Sequence, residues 1–175
     1  MEPAEEEETF TVEEWGEGHP RWPEFVRCLE ETAPEQAPFV LGEYARRLPC
    51  HLLVALCGGR VAGFLRFGVQ PLGPESGWPP LALHGAPLTE AKIHAFAVRP
   101  EDRRRGIGTA LQMSAITRAR ALGCHQLASH SGAESAANHR VKLALGFSAL
   151  PESHEGGRSI YFLMPLRAPG RGGAG

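Results

Sequence analysis

Lysine is almost missing from this chain. Of its 18 Lys and Arg residues only Lys92 and Lys142 are lysine, a skew that reads as composition bias. There is no basic excess either: the net charge is −2 and the pI ≈ 6.4. That argues against a nucleic-acid partner, because no positive surplus exists to displace counterions. No run approaches the ~18 apolar residues that a membrane span needs, so no membrane partner is expected. The opening residues MEPAEEEETF carry neither a basic nor an apolar region, so no secretory signal is expected. The four cysteines, Cys28, Cys50, Cys57 and Cys124, form no CxxC pair and have no histidine at zinc-finger spacing. Neither a disulfide framework nor a metal site is expected, and a reduced, cytoplasmic protein is the default reading.

What remains is enough for one domain. The 175 residues are 42% hydrophobic and 22% charged, which suits a single sizeable core. Residues 1–8 read as an acidic disordered tail and 168–175 as a Gly-rich disordered tail, leaving one domain over 9–167. Its first third reads as mainly helical: Pro20 to Leu29 and Pro38 to Leu48 space apolar residues three to four apart. His51–Cys57, a Gly58-Gly59 turn and Val61–Phe67 then read as a β-hairpin. Residues 68–89 hold five prolines and four glycines and read as an insertion loop, either functional or a plain surface excursion.

From Lys92 the pattern alternates. Lys92–Val98 reads as a strand, Gly108–Leu122 as a helix closed by Gly123, and His125–Ser129 as a strand. Glu134–Leu145 reads as a helix ending at Gly146, and two strands follow. This is a mixed α/β pattern. Trp15, Trp22 and Trp78 read as packing residues or as an acceptor lining, and Cys124 as a buried, inert thiol.

The chemistry concentrates at Val98-Arg-Pro-Glu-Asp-Arg103-Arg104-Arg105-Gly106-Ile107-Gly108-Thr109. A strand that enters a glycine-bearing loop and then a helix presents unpaired N–H groups at the positive end of a dipole, which is an anion site. An ordinary left-handed turn remains the plain alternative. No GKS or GKT follows, and GIGTAL lacks the third glycine of a dinucleotide fingerprint, which disfavours an unrelated nucleotide.

Arg103-x-x-Gly106-x-Gly108 after Val-x-Pro resembles the acyl-CoA pyrophosphate loop of the GCN5-related N-acetyltransferase (GNAT) superfamily. Leu143-Ala-Leu-Gly146-Phe147, 38 residues beyond Gly108, resembles its second landmark. The resemblance spans about residues 50–164. It implies a central, mostly antiparallel twisted sheet of six to seven strands, splayed at the acyl-CoA site and flanked by about four helices. It implies acetyl-CoA as co-substrate, no metal, and direct acetyl transfer to a primary amine of a small molecule or peptide. A homodimer is common in such families.

Carried onto this chain, Arg103, Arg104, Arg105, Gly106, Ile107, Gly108 and Thr109 would hold the pyrophosphate. Phe96, Ala97 and Val98 would pair with the pantetheine arm, with an N–H near Val98 polarising the thioester. His94 resembles the strand histidine of the arylalkylamine branch and is the first candidate base, Glu90 the second. Where many members keep a tyrosine acid, four residues before the junction glycine, this chain has Lys142. It would serve either as proton donor or as a solvated surface residue. The family's frequent cofactor-binding Asn falls on Ser135, with Asn138 three residues on. LeuAlaSer-His130 is similar to the LeuAlaSerAsp of aminoglycoside 6′-N-acetyltransferases, with His130 in place of the acid. An enzyme of that kind, or a non-catalytic acyl-CoA-binding module, is the alternative.

Overall fold

The computed structural model describes residues 9–166, so both expected tails lie outside the described residues. A first strand, β1 (Phe10–Trp15), precedes the helices in a first third that the sequence reads as mainly helical. Phe10, Val12 and Trp15 are its apolar residues, and the Glu13-Glu14 pair breaks their alternation, so the pattern is too short to announce a strand. It is held by antiparallel pairing with β2 (Cys50–Cys57). Helix α1 (Trp22–Thr32) carries Pro23 in its first turn and buries Phe25, Cys28 and Leu29.

A 3-10 turn (Pro34–Gln36) leads to α2 (Ala37–Leu41) and α3 (Glu43–Arg46). The sequence spacing predicts one helix from Pro38 to Leu48. The chain instead breaks at Gly42, which is extended (φ −77, ψ 177). Its Cα lies against the Pro38 carbonyl, where a side chain has no room.

β2 turns at Gly58-Gly59 into β3 (Arg60–Pro71), which is longer than expected. The segment 68–89 is therefore not a loop at its ends, because β3 runs to Pro71 and β6 (Thr89–Val98) already begins at Thr89. Between them lie a 3-10 turn (Pro74–Ser76) and a small hairpin of β4 (Ala82–Leu83) and β5 (Ala86–Pro87). After β6 come α4 (Ile107–Ala121), β7 (Gln126–Gly132), α5 (Ala136–Ala144), β8 (Ser148–His154) and β9 (Gly157–Pro165).

The sheet order is β1-β2-β3-β6-β7-β9-β8, antiparallel throughout except for the parallel pair β6–β7. Seven strands and five α-helices, two of them single turns, match the mixed α/β expectation. One face packs on α4 through Leu65, Phe67, Ile93, Leu111 and Phe162. The other packs on α1 and α2 through Phe25, Val40, Val54 and Phe64. Burial of this apolar surface, at about 25 cal/mol per Å², holds the two helical layers to the sheet. Trp15 and Cys124 are both core residues.

Candidate active site

Strands β6 and β7 start together and part. Their register runs from Glu90↔Gln126 to Ile93↔Ser129 and stops, although β6 continues to Val98 and β7 to Gly132. β7 stays with β9 as far as Gly132↔Ser159. The far half of β6 therefore has β3 on one edge and a gap on the other. At the point of parting β6 carries a bulge: Arg66 faces Ala95 and Phe67 faces Ile93, leaving His94 as the extra residue.

The loop beyond β6 has the backbone form that leaves helix N–H groups unpaired. Arg104 (φ 64) and Gly106 (φ 81) both sit in the left-handed region, turning the backbone so that α4 begins with its N–H groups open to the gap. Arg103 folds back to donate from Nε to the Val98 carbonyl at 3.1 Å. Buried Asp102 anchors the turn, taking Arg60 Nη2 at 3.0 Å and Arg105 Nη1 at 3.4 Å. Ile107 is buried and Thr109 lies in the first turn of α4. A Cβ on Gly108 would stand 3.3 Å from the tip of the Phe96 ring, so this glycine lets the helix end approach the strand.

On the α4/α5 side of the gap sits Lys142, only 1% exposed, which removes the solvated alternative. Its Nζ donates to Ser129 Oγ at 2.7 Å and Ser131 Oγ at 3.0 Å, and lies 4.9 Å from the centre of the Phe162 ring. Burial pushes its pKa down to about 8. Asn138 donates to the same Ser131 Oγ at 3.0 Å, whereas Ser135 caps the start of α5 without a side-chain bond.

The opposite side carries Glu90, Lys92 and His94, alternate residues of β6 that share a face. His94 Nδ1 faces Arg66 Nη1 at 3.2 Å. A guanidinium only donates, so Nδ1 accepts and the ring proton is assigned to Nε2, which is buried without a partner. Burial first, then the charges of Arg66 and Lys92, push the His94 pKa down to about 4. A Cβ on Gly68 would strike the ring at 2.8 Å, so that glycine makes its space. Arg66 also donates to the Phe39 carbonyl at 2.6 Å and the Ala45 carbonyl at 2.8 Å, strapping α2 and α3 over the sheet.

Glu90 is 3% exposed and accepts from Gln70 at 2.9 Å and Gln126 at 2.8 Å. Four residues at ~3.3 Å each put it about 13 Å along the strand from His94. Glu75, from the segment after β3, pairs with Lys92 and accepts from Gln70 at 2.8 Å. That segment therefore reaches the face carrying Lys92 and His94. Further along this face His130 lies against Tyr161, ring centres 4.6 Å apart, and 3.4 Å from Glu152. Burial, followed by the charges of Glu90, Glu75 and Glu152, pushes the Tyr161 phenol up to about 12. The carboxylates act on Tyr161 and the guanidinium of Arg66 on His94, with the Lys92–Glu75 ion pair between them.

The gap brings together Phe96, Val98, Gly106, Gly108, His94 and Lys142, while Glu90 and Ser135 stand away from it. Ala97 faces the α1 side of the sheet. Arg66, Ser129 and Ser131 are additions that the sequence reading missed; only Arg66, a lone charge in an apolar strand, carried a signal. Buried polar atoms without partners lie on the elements bordering the gap: both amide atoms of Gln112, His94 Nε2, Asn138 Oδ1 and His139 Nε2. Such groups fit a long ligand bearing amides and phosphates, as acyl-CoA does.

The comparisons agree with this geometry. Residues 19–147 match the Acetyltransferase (GNAT) family. The chain is 31% identical over 134 residues to the aminoglycoside N(6′)-acetyltransferase type 1 of Klebsiella aerogenes, covering 75% of this chain and 78% of that one. Its fold is similar to the ribosomal-protein-S18-alanine N-acetyltransferase of Escherichia coli (TM-score 0.62, 18% identity, 94% and 98% covered). It is also similar to a Bacillus subtilis acetyltransferase in complex with CoA (TM-score 0.64, 17% identity, 91% and 100% covered). A parted strand pair, an anion loop between them and a match across most of the sequence have one common reading: the chain belongs to the GNAT acetyltransferase family and is an N-acetyltransferase.

Proposed function

We propose that this enzyme uses acetyl-CoA to acetylate a small amine that carries several positive charges, of the aminoglycoside kind. The observation that carries the acceptor class is the field on the acceptor face. The charges of Glu90, Glu75 and Glu152 act on Tyr161, while those of Arg66 and Lys92 act on His94, opposed there by Glu75, the ion-pair partner of Lys92. A polycation lies with its spare ammonium groups toward the carboxylates and one amine toward His94. The burial that chiefly depresses the His94 pKa, with the Arg66 charge beside it, also depresses that of an ammonium bound there, favouring the neutral, nucleophilic amine. The similarity to the Klebsiella enzyme supports the same class. Here the acid of LeuAlaSerAsp is replaced by His130, and Glu152 of β8 brings a carboxylate to its side.

Bound acetyl-CoA supplies the activated acetyl group. The loop Arg103–Thr109 would hold its phosphates, and the open edge at Phe96 and Val98 would seat the arm. Asn138, bonded to Ser131, borders the same gap as a candidate contact, whereas Ser135 at the start of α5 stands away from it. His94, with Nδ1 held by Arg66, acts as a neutral donor through Nε2 that orients the acceptor. The amine's proton leaves to water, because Glu90 is too distant to take it directly. Lys142, as ammonium, delivers a proton to the departing thiolate, directly or through the Ser129 and Ser131 hydroxyls, and is reprotonated from solvent.

Thiol release from acetyl-CoA over a panel of amines tests this reading. A kanamycin-type aminoglycoside or spermidine should turn over with a KM well below that of tryptamine. Turnover confined to arylalkylamines or peptide N-termini would refute the acceptor class.

A further inference from the structure

The open edge of β6 is not bare. Phe96 N–H donates to Gln36 Oε1 at 2.8 Å, and Gln36 Nε2 donates to the Phe96 carbonyl at 3.2 Å. Phe96 stands opposite Leu65 of β3, yet both of its backbone groups turn away from β3 toward this side chain. One carboxamide, arriving from 60 residues away, gives this residue what an added strand would give it: one acceptor for its N–H and one donor for its C=O.

We propose that Gln36 is a displaceable occupant of the acyl-CoA slot, so that binding exchanges the Gln36 amide for the amides of the pantetheine arm. The inference rests on the acetyl-CoA reading above. Phe96 has one N–H, and it cannot pair fully with both partners.

The exchange is felt beyond the slot. Gln36 ends the 3-10 turn, its N–H bonded to Ala33 O at 3.0 Å, and α2 follows at once. Three residues on, the Phe39 carbonyl is tied to Arg66, which holds His94. Releasing Gln36 therefore removes one tie from the segment that walls the acceptor side, leaving the Arg66 bonds to the Phe39 and Ala45 carbonyls. Cofactor entry and acceptor-wall position are linked through one short stretch of backbone.

Calorimetric titration with CoA separates the possibilities, using wild type, Gln36→Ala and Gln36→Asn, whose shorter amide cannot reach both groups. Two neutral hydrogen bonds exchanged in part against water predict about three- to tenfold tighter CoA binding by both variants. In the free protein, hydrogen exchange at the Phe96 amide should quicken in both. If either folded variant binds CoA as weakly as wild type, or more weakly, Gln36 supports the cofactor and the proposal fails. If wild type binds no CoA at all, the acetyl-CoA reading fails instead. Gln36→Asn keeps the test available should Gln36→Ala fold poorly.

Discussion

Arg66 and His94 meet across the β3–β6 bulge, guanidinium to imidazole nitrogen, at 3.2 Å. The contact occupies the Nδ1 lone pair that a base would need and assigns the ring proton to Nε2, which is buried without a partner. Its consequence can be measured. With a pKa near 4, His94 stays neutral through the working range, so the pH profile of kcat/KM should follow the acceptor amine and show no inflection between pH 6 and 7 from this residue. His94→Ala should cost about tenfold in kcat/KM, the scale of one neutral hydrogen bond, and not the ~10²-fold or more of a lost base. An inflection near pH 6.5 that disappears in His94→Ala would restore the base role.

The same shift links His94 to stability. Its folded pKa lies below its unfolded value of 6.5, so the unfolded chain binds the extra proton between those two pH values. Stability should therefore fall as pH drops from about 6.5 to 4. His94→Asn should flatten that slope in denaturant titrations, and an unchanged slope would mean that the ring is not buried against Arg66 as described.

Lys142 predicts the opposite end of the pH scale. Its folded pKa of about 8 lies below its ordinary 10.5. Between those values the unfolded state holds more protons, so wild-type stability should gain from this group as pH rises through that window. Lys142→Met should lack the gain, and its kcat should fall with little change in the KM for acetyl-CoA. A kcat that loses its basic limb near pH 8 in the variant marks the proton donor; an unaltered limb assigns Lys142 to packing alone.

The two glycines of the anion loop should fail for different reasons. Gly106→Ala puts a Cβ on a residue at φ +81 with open space around it, so it costs about 1 kcal/mol of backbone strain and lowers the melting temperature of the free protein. Gly108→Ala presses on Phe96 at 3.3 Å and should weaken CoA binding with a smaller effect on free-protein melting. Calorimetric melting with and without CoA distinguishes them, and matching losses in both would contradict the assignment.

Removing the Glu152 charge tests the acceptor field. Glu152→Gln should raise the KM of a polycationic acceptor about two- to fivefold, the worth of one half-exposed ion pair, and leave that of acetyl-CoA alone. No change for any polyamine would remove Glu152 from the acceptor surface.

The parts of this protein that could be read from its sequence are those coded by neighbours in the chain. The anion loop, its helix and the L-G-F junction are contiguous, and their glycines announce the backbone they need. β1 was not legible, because its strand state comes from pairing with residues more than 35 positions away. The break at Gly42 escaped notice because apolar spacing continues straight through it. The site's less visible members, Gln36, Arg66, Ser129 and Ser131, are ordinary polar residues whose roles arise only when the sheet assembles. Lys142 was legible by position, yet its burial was not, since that depends on two serines across the fold.

The parting of β6 from β7 also divides the labour of the sheet. Upstream of Ile93 and Ser129 it is one continuous hydrogen-bonded fabric, and downstream it is two leaves joined at a seam. One leaf carries the glycine-bearing loop and the histidine, and the other, laid on β9, carries the serines beneath the lysine. Nothing in the backbone ladder stitches the leaves together past that seam, so a guest seated between them doubles as mortar. On the reading proposed above, the substrate that brings the acetyl group would complete the architecture on which the reaction depends.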